Sequence, residues 1–221
     1  MNKVQKCMRD IPAVRWTALL LLALAMFCSY IFMDILSPIK DLMQSTRGWD
    51  STAFGTMQGA ETFLNVFIFF LIFAGIILDK MGVRFTAILS GAVMVLGGGI
   101  KLYAISPLFA EGNALYDFLN SFWPSFPATA KLASAGFAIF GCGVEMAGIT
   151  VSRGIVKWFK GRETAMAMGS EMALARLGVA TCMIFSPFFA KLGGDVDVAR
   201  SVAFGVVLLC IALIMFIVYF F

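Results

Sequence analysis

The chain has no histidine. That removes imidazole metal ligands, a Ser-His dyad and any histidine proton relay, and with them much intramembrane enzymology. Its five cysteines, Cys7, Cys28, Cys142, Cys182 and Cys210, are odd in number and unclustered, and most fall inside apolar runs. They suit small packing residues rather than a disulfide framework or a zinc site, so no metal site is expected. Charge is also scarce, at 14% of the residues. Against this, 61% of the chain is apolar and the mean hydropathy is +0.92, more than a 221-residue soluble domain can bury. The class is therefore a polytopic, all-α membrane protein.

Apolar runs long enough to cross about 30 Å of hydrocarbon at 1.5 Å per residue lie near 16–38, 53–78, 85–105, 132–157, 164–189 and 199–221. Six transmembrane helices are expected. The first run is too long for a cleaved signal, lacks a small-residue cleavage pattern, and continues through Tyr30, Asp34 and Pro38 into a polar loop. Lys and Arg near the span ends set the orientation. Lys3, Lys6, Arg9 and Arg15 (in a segment 1–15), then Lys80 and Arg84, then Arg153, Lys157, Lys160 and Arg162 mark cytoplasmic segments. The opposite loops hold Lys40, Arg47, Lys101, Lys131, Lys191 and Arg200, diluted by acidic residues. Because the basic residues border spans in short groups, topology explains them and no nucleic-acid partner is expected.

Two charges fall deep inside spans. Glu145 and Arg176 each lie about twelve residues into their helices, which at 1.5 Å per residue sets both near the midplane. A central Arg costs roughly 2.5 to 3.5 kcal/mol in a bilayer, so such residues face a bundle interior or a wet cavity and mark a pathway. A guanidinium fork suits a carboxylate and a glutamate suits an ammonium, which points to the two ends of a zwitterionic solute. The competing reading is a plain Glu145 to Arg176 salt bridge between the two helices. A protease reading fails on position: Tyr116-Asp117 and Gly193-Gly194-Asp195 faintly match paired intramembrane aspartyl motifs, but both aspartates lie in polar loops and Leu192 stands where a glycine is needed. No enzyme activity is expected.

Other features fill in the architecture. The segment 106–131 interleaves Leu108, Phe109, Leu115, Phe118, Phe122, Trp123 and Phe126 with polar residues, and is expected as an extracytoplasmic amphipathic loop lying along the interface or acting as a lid. Gly59-Ala60-Glu61-Thr62-Phe63-Leu64 is echoed by Gly169-Ser170-Glu171-Met172-Ala173-Leu174, and Lys80-Met81-Gly82 by Lys191-Leu192-Gly193. Two three-helix units an odd number of spans apart must be inverted relative to each other, the plan of many secondary transporters. The loop from Gly75 through Asp79, Lys80, Gly82 and Arg84 carries an aspartate at a helix carboxyl end, where the helix dipole disfavours it. Arg84 or a neighbouring helix amino end is expected to hold it.

The Gly75, Asp79, Lys80, Gly82, Arg84 pattern resembles the signature loop of the major facilitator superfamily, and the six spans resemble its amino-terminal half. Phe140-Gly141-Cys142-Gly143-Val144-Glu145, Lys157-Trp158-Phe159-Lys160-Gly161-Arg162-Glu163 and Ala175-Arg176-Leu177-Gly178 resemble the lysosomal dipeptide transporter branch, as do Tyr30 and Asp34. The resemblance implies half of a twelve-helix fold and alternating access about a central cavity. It further implies that Glu145 meets the amino end of a short peptide and Arg176 its carboxylate, with the signature loop as a conformational switch.

The remaining polar residues are candidates for gating. Glu171 is about 140° around the helix from Arg176 and suits a gate, or a partner for Lys157 or Arg153. Glu61 and Asn65 share a face of the second span, and with Asp34 they are candidates for an outer gate or proton site. Gly97-Gly98-Gly99, Gly136, Gly141, Gly143 and Gly148 fit close helix packing rather than a phosphate cradle, so no cofactor is expected. The methionines have packing as their default role, Met146 and Met172 lying near the charged pair. The apolar run through Val218-Tyr219-Phe220-Phe221 lacks the basic loop that joins two halves. A missing second six-helix half, on the same full-length chain or on a dimer partner, is therefore expected alongside the bilayer and the solute. The lack of a targeting signal points to a bacterial inner membrane. A non-transporting scaffold or sensor of the same architecture is the competing class.

Overall fold

The computed structural model describes residues 11–161 and 163–220. Lys3, Lys6, Cys7, Met8, Arg9, Arg162 and Phe221, on which parts of the topology and chain-end expectations rest, lie outside them. All regular elements among the described residues are helices. Helix α1 (Pro12–Met33) begins with proline in its first turn, where the missing N–H costs nothing, and ends at Asp34. A 3-10 turn over Ser37–Ile39 leads to the short α2 (Lys40–Arg47), closed by Gly48 in the left-handed conformation. Helix α3 (Ser51–Phe67) is capped by Asp50, whose carboxylate accepts from the Ala53 N–H at 2.7 Å. There follow α4 (Phe70–Ile105), α5 (Ala114–Ser121), α6 (Ala128–Phe159), α7 (Thr164–Ala190) and α8 (Val198–Phe220).

Among the described residues, five helical stretches are long and apolar enough to cross a membrane: Pro12–Arg47, α4, α6, α7 and α8. The continuous helix expected over 53–78 is not present. It is split at Phe69, which has φ 54°, into α3 and the first arm of α4. Phe67, Ile68 and Phe69 are all exposed, so no side-chain burial in this chain holds the helix straight there. A second break comes at Gly82, with φ 82° and ψ 168°, which divides α4 into arms 70–81 and 83–105. Only glycine adopts that backbone without strain.

Helix α6 packs along α4 and α3, α1 packs against α7 and α8, and α4 also meets α8. The α4–α6 seam is backbone against backbone. A Cβ built on Gly136 would sit 2.8 Å from the Gly97 carbonyl oxygen and 2.8 Å from the Lys101 amide nitrogen, distances no side chain tolerates. Small residues at such a seam let dispersion act over the whole helix length, which is what holds helices together where lipid removes the hydrophobic drive. Beside it, Phe137 stacks on Phe140 at 5.5 Å, and the Phe32 ring meets Phe140 tilted at 4.8 Å.

The segment 106–131 is tied down at several points. Phe109 is buried between Tyr103 and Tyr116. The Lys131 ammonium donates to the carbonyls of Leu119 at 2.6 Å, Trp123 at 3.0 Å and Phe122, satisfying acceptors at the end of α5. Leu108, Phe118 and Trp123 are left exposed.

Candidate functional site

Two close helix contacts bring the charged residues together. Gly178 of α7 lies so near α1 that a Cβ there would stand 2.5 Å from the Phe27 carbonyl oxygen. Tyr30 is one turn beyond Phe27 and Arg176 is two residues before Gly178, so this approach sets the Arg176 guanidinium 5.8 Å from the centre of the Tyr30 ring. Likewise Gly141 of α6 is pressed against the Glu61 carbonyl of α3, with no space for a side chain. Glu145, one turn on from Gly141, then lies within electrostatic reach of Glu61. Tyr30 feels four charges, those of Arg176, Glu145, Glu171 and Glu61.

Among the described residues, neither the Glu145, Glu61 and Glu171 carboxylates, nor the Arg176 guanidinium, nor the Tyr30 hydroxyl makes a hydrogen bond or an ion pair. The direct Glu145 to Arg176 salt bridge is therefore not formed. The physical reason lies in the packing: α6 is engaged by α4 and α3 and α7 by α1, and α6 and α7 touch little. Glu61 and Glu171 are buried, Glu145 and Tyr30 half-buried, and Arg176 exposed. This leaves Glu145 on α6 and Arg176 on α7 as charges of opposite sign without ion-pair partners, with the Tyr30 ring of α1 beside Arg176.

Asp34 ends α1 and is engaged, accepting from the Ser37 hydroxyl at 3.2 Å and from the Gln58 amide at 3.4 Å. Asn65 is buried and donates to the Glu61 carbonyl oxygen at 3.3 Å. Glu171 pairs with neither Lys157 nor Arg153, because Arg153 is taken by Asp79. That contact also corrects the partner expected for Asp79: Arg84, two residues past the Gly82 break, points instead into a cavity of about 330 Å³ lined by Thr17, Trp158 and Tyr219. Lys80 is exposed, and Gly75 sits in the first arm of α4 with open space beside it.

One residue assigned to a loop by charge counting belongs elsewhere. Lys101 is wholly buried on the second arm of α4. Its spacing of four from Gly97 puts both on the face that meets α6, a signal present in the sequence but outweighed by the nearness of the span end.

These features define a polytopic membrane protein that carries ionisable side chains on its apolar helices. The description "Major Facilitator Superfamily" matches residues 22–221, nine-tenths of the chain, and the chain belongs to that family. It is 25% identical over 199 residues to the lysosomal dipeptide transporter MFSD1 of Bos taurus, covering 89% of this chain and 38% of that protein. With the Homo sapiens protein of the same name it shares 26% over 167 residues, 75% of this chain and 31% of that one. The chain thus spans roughly a third of the length of these curated relatives. No solved structure matches it.

Proposed function

We propose that this chain is the amino-terminal half of a secondary transporter that moves a small zwitterionic solute, of dipeptide or amino-acid size, across a membrane by alternating access. The single observation that carries the reading is that Glu145 and Arg176, opposite charges without ion-pair partners, both lie within electrostatic reach of Tyr30, and the reading takes the space around that ring as one cleft. In an apolar medium unmatched charges of both signs are costly unless a ligand or a partner segment meets them, and a zwitterion meets both at once. Glu145 receives the ammonium, Arg176 the carboxylate, and Tyr30 packs against the solute between them. Asp34, Glu61, Asn65 and Glu171 ring this position as gate or proton-handling groups. The names of the MFSD1 relatives agree with a peptide-like solute.

The two-repeat plan is supported by the way the helices pair. If α1, α3 with the first arm of α4, and the second arm of α4 form one unit, and α6, α7 and α8 the other, then the α1–α7 contact mirrors α6–α3 and α1–α8 mirrors α6–α4. The echoed Glu61 and Glu171 are both buried near Tyr30, and the echoed Gly82 and Gly193 both have positive φ. In this reading Asp79 with Arg153 forms a switch at the cytoplasmic side, and the chain's amino terminus is cytoplasmic. The membrane is not assigned to bacteria, since the relatives are named as lysosomal.

The test is uptake of labelled dipeptides by the full-length protein in proteoliposomes, wild type against Glu145→Gln and Arg176→Gln. Uptake lost in both variants with insertion intact is the expected result. Normal uptake by Glu145→Gln removes the assignment, and absence of uptake by the wild type favours the scaffold or sensor class.

A further inference from the structure

Lys101 plays no part in the solute reading, yet its burial is costly. It is wholly buried, and its ammonium has no hydrogen-bond partner. It lies 3.6 Å from the centre of the Phe137 ring and 5.1 Å from that of Phe32, held by ring faces alone. Cation–π attraction returns part of the lost hydration but leaves all three ammonium protons without acceptors. Titratable groups lie within electrostatic reach on three other elements: the carboxyl groups of Asp34 at the end of α1 and Glu61 on α3, and the neutral Cys182 thiol of α7. Of these groups, Asp34 is engaged by partners that a cation can replace. Asp34 is held only by Ser37 and, at 3.4 Å, by Gln58, both neutral.

The two rings that enclose the ammonium belong to different elements. Phe137 belongs to the tight α4–α6 seam, so the Lys101 backbone and that ring are fixed together. Phe32 and Asp34 are two residues apart at the carboxyl end of α1, where regular helix gives way to a turn.

We propose that Lys101 is a positioning residue of the transport cycle: a cation parked in an aromatic box in this conformation that exchanges the Phe32 ring for the Asp34 carboxylate as the end of α1 moves. The inference rests on the transporter reading and adds a two-position element to it. Lys101 touches no solute. It sets the energy gap between two arrangements of α1, and so the turnover of the carrier rather than its affinity.

The experiment uses the full-length protein in proteoliposomes with labelled dipeptide, and thermal unfolding in detergent, for Lys101→Met, Asp34→Asn and the double variant. Lys101→Met is expected to lower the maximal uptake rate about tenfold or more while the half-saturating concentration moves less than about twofold. Its unfolding midpoint is expected to equal or exceed that of the wild type, since an apolar side chain of similar length replaces an unpartnered charge. The double variant is expected to be no slower than Lys101→Met alone, because both changes remove one interaction. Retained turnover in Lys101→Met overturns the proposal, as does a lost rate that tracks lost stability or losses that multiply in the double variant. If the wild type takes up no dipeptide, the solute reading fails by itself, and the pair is then judged on unfolding midpoints: non-additive shifts for Lys101→Met and Asp34→Asn support it and additive shifts overturn it.

Discussion

The α4–α6 seam and the cleft around Tyr30 are built from opposite materials a few residues apart. In the seam, Gly97, Gly136 and Gly143 bring backbones into contact and leave no polar group to a ligand. In the cleft, Glu145, Arg176 and Tyr30 stand apart with their polar atoms unused. The two are coupled through α6, which presents Gly143 to α4 and Glu145 to the cleft. A rigid wall is what permits unpaired charges to stay separated, since a looser bundle would let Glu145 and Arg176 collapse onto each other or onto water.

The sharpest way to break this contrast is to overfill a packed face of α6, here the one that Gly141 turns to α3. Gly141→Leu has no space against the Glu61 carbonyl, so it should cost about 3 kcal/mol or more and reduce the yield of folded protein in size-exclusion chromatography. Next comes the cleft itself: Glu145→Gln should lose about 2 to 5 kcal/mol of solute interaction, read as a 30-fold or greater fall in dipeptide uptake, with an unchanged unfolding midpoint. If Gly141→Leu proved harmless or Glu145→Gln unfolded the protein, the division into wall and site would be wrong. A smaller effect is expected where neither region is involved. Phe69→Gly removes a bulky residue from a left-handed backbone at φ 54° and should raise stability by about 1 kcal/mol, measured by thermal unfolding. Smallest is Asp79→Asn, which breaks an exposed ion pair with Arg153 and should change stability by less than about 1 kcal/mol. In the transporter reading it should still slow uptake, because a switch acts on turnover rather than on folding.

Much of the helical layout was legible because hydropathy acts through length and composition, which are local. The helices at 12–33, 128–159, 164–190 and 198–220 follow apolar runs that no other structure satisfies. The second run misled, because the breaks at Phe69 and Gly82 are backbone events inside continuous apolar sequence. Glu145 and Arg176 announced themselves by charge in an apolar context. Whether they touch is decided by which helices lie between them, and the small α6–α7 contact was not written in either helix. Lys101 was misassigned for the same reason: its depth along α4 is readable, but the rings of Phe32 and Phe137 that enclose it come from other helices.

What the sequence by itself determined is the solvent of this protein and the rough count of its apolar helices, since each follows from the cost of moving a residue from water into hydrocarbon. Only the tertiary structure decided which charges stay single, where α3 and α4 break, and that Asp79 answers to Arg153. Those outcomes depend on distances between segments far apart in the chain, and packing sets such distances where hydropathy is silent.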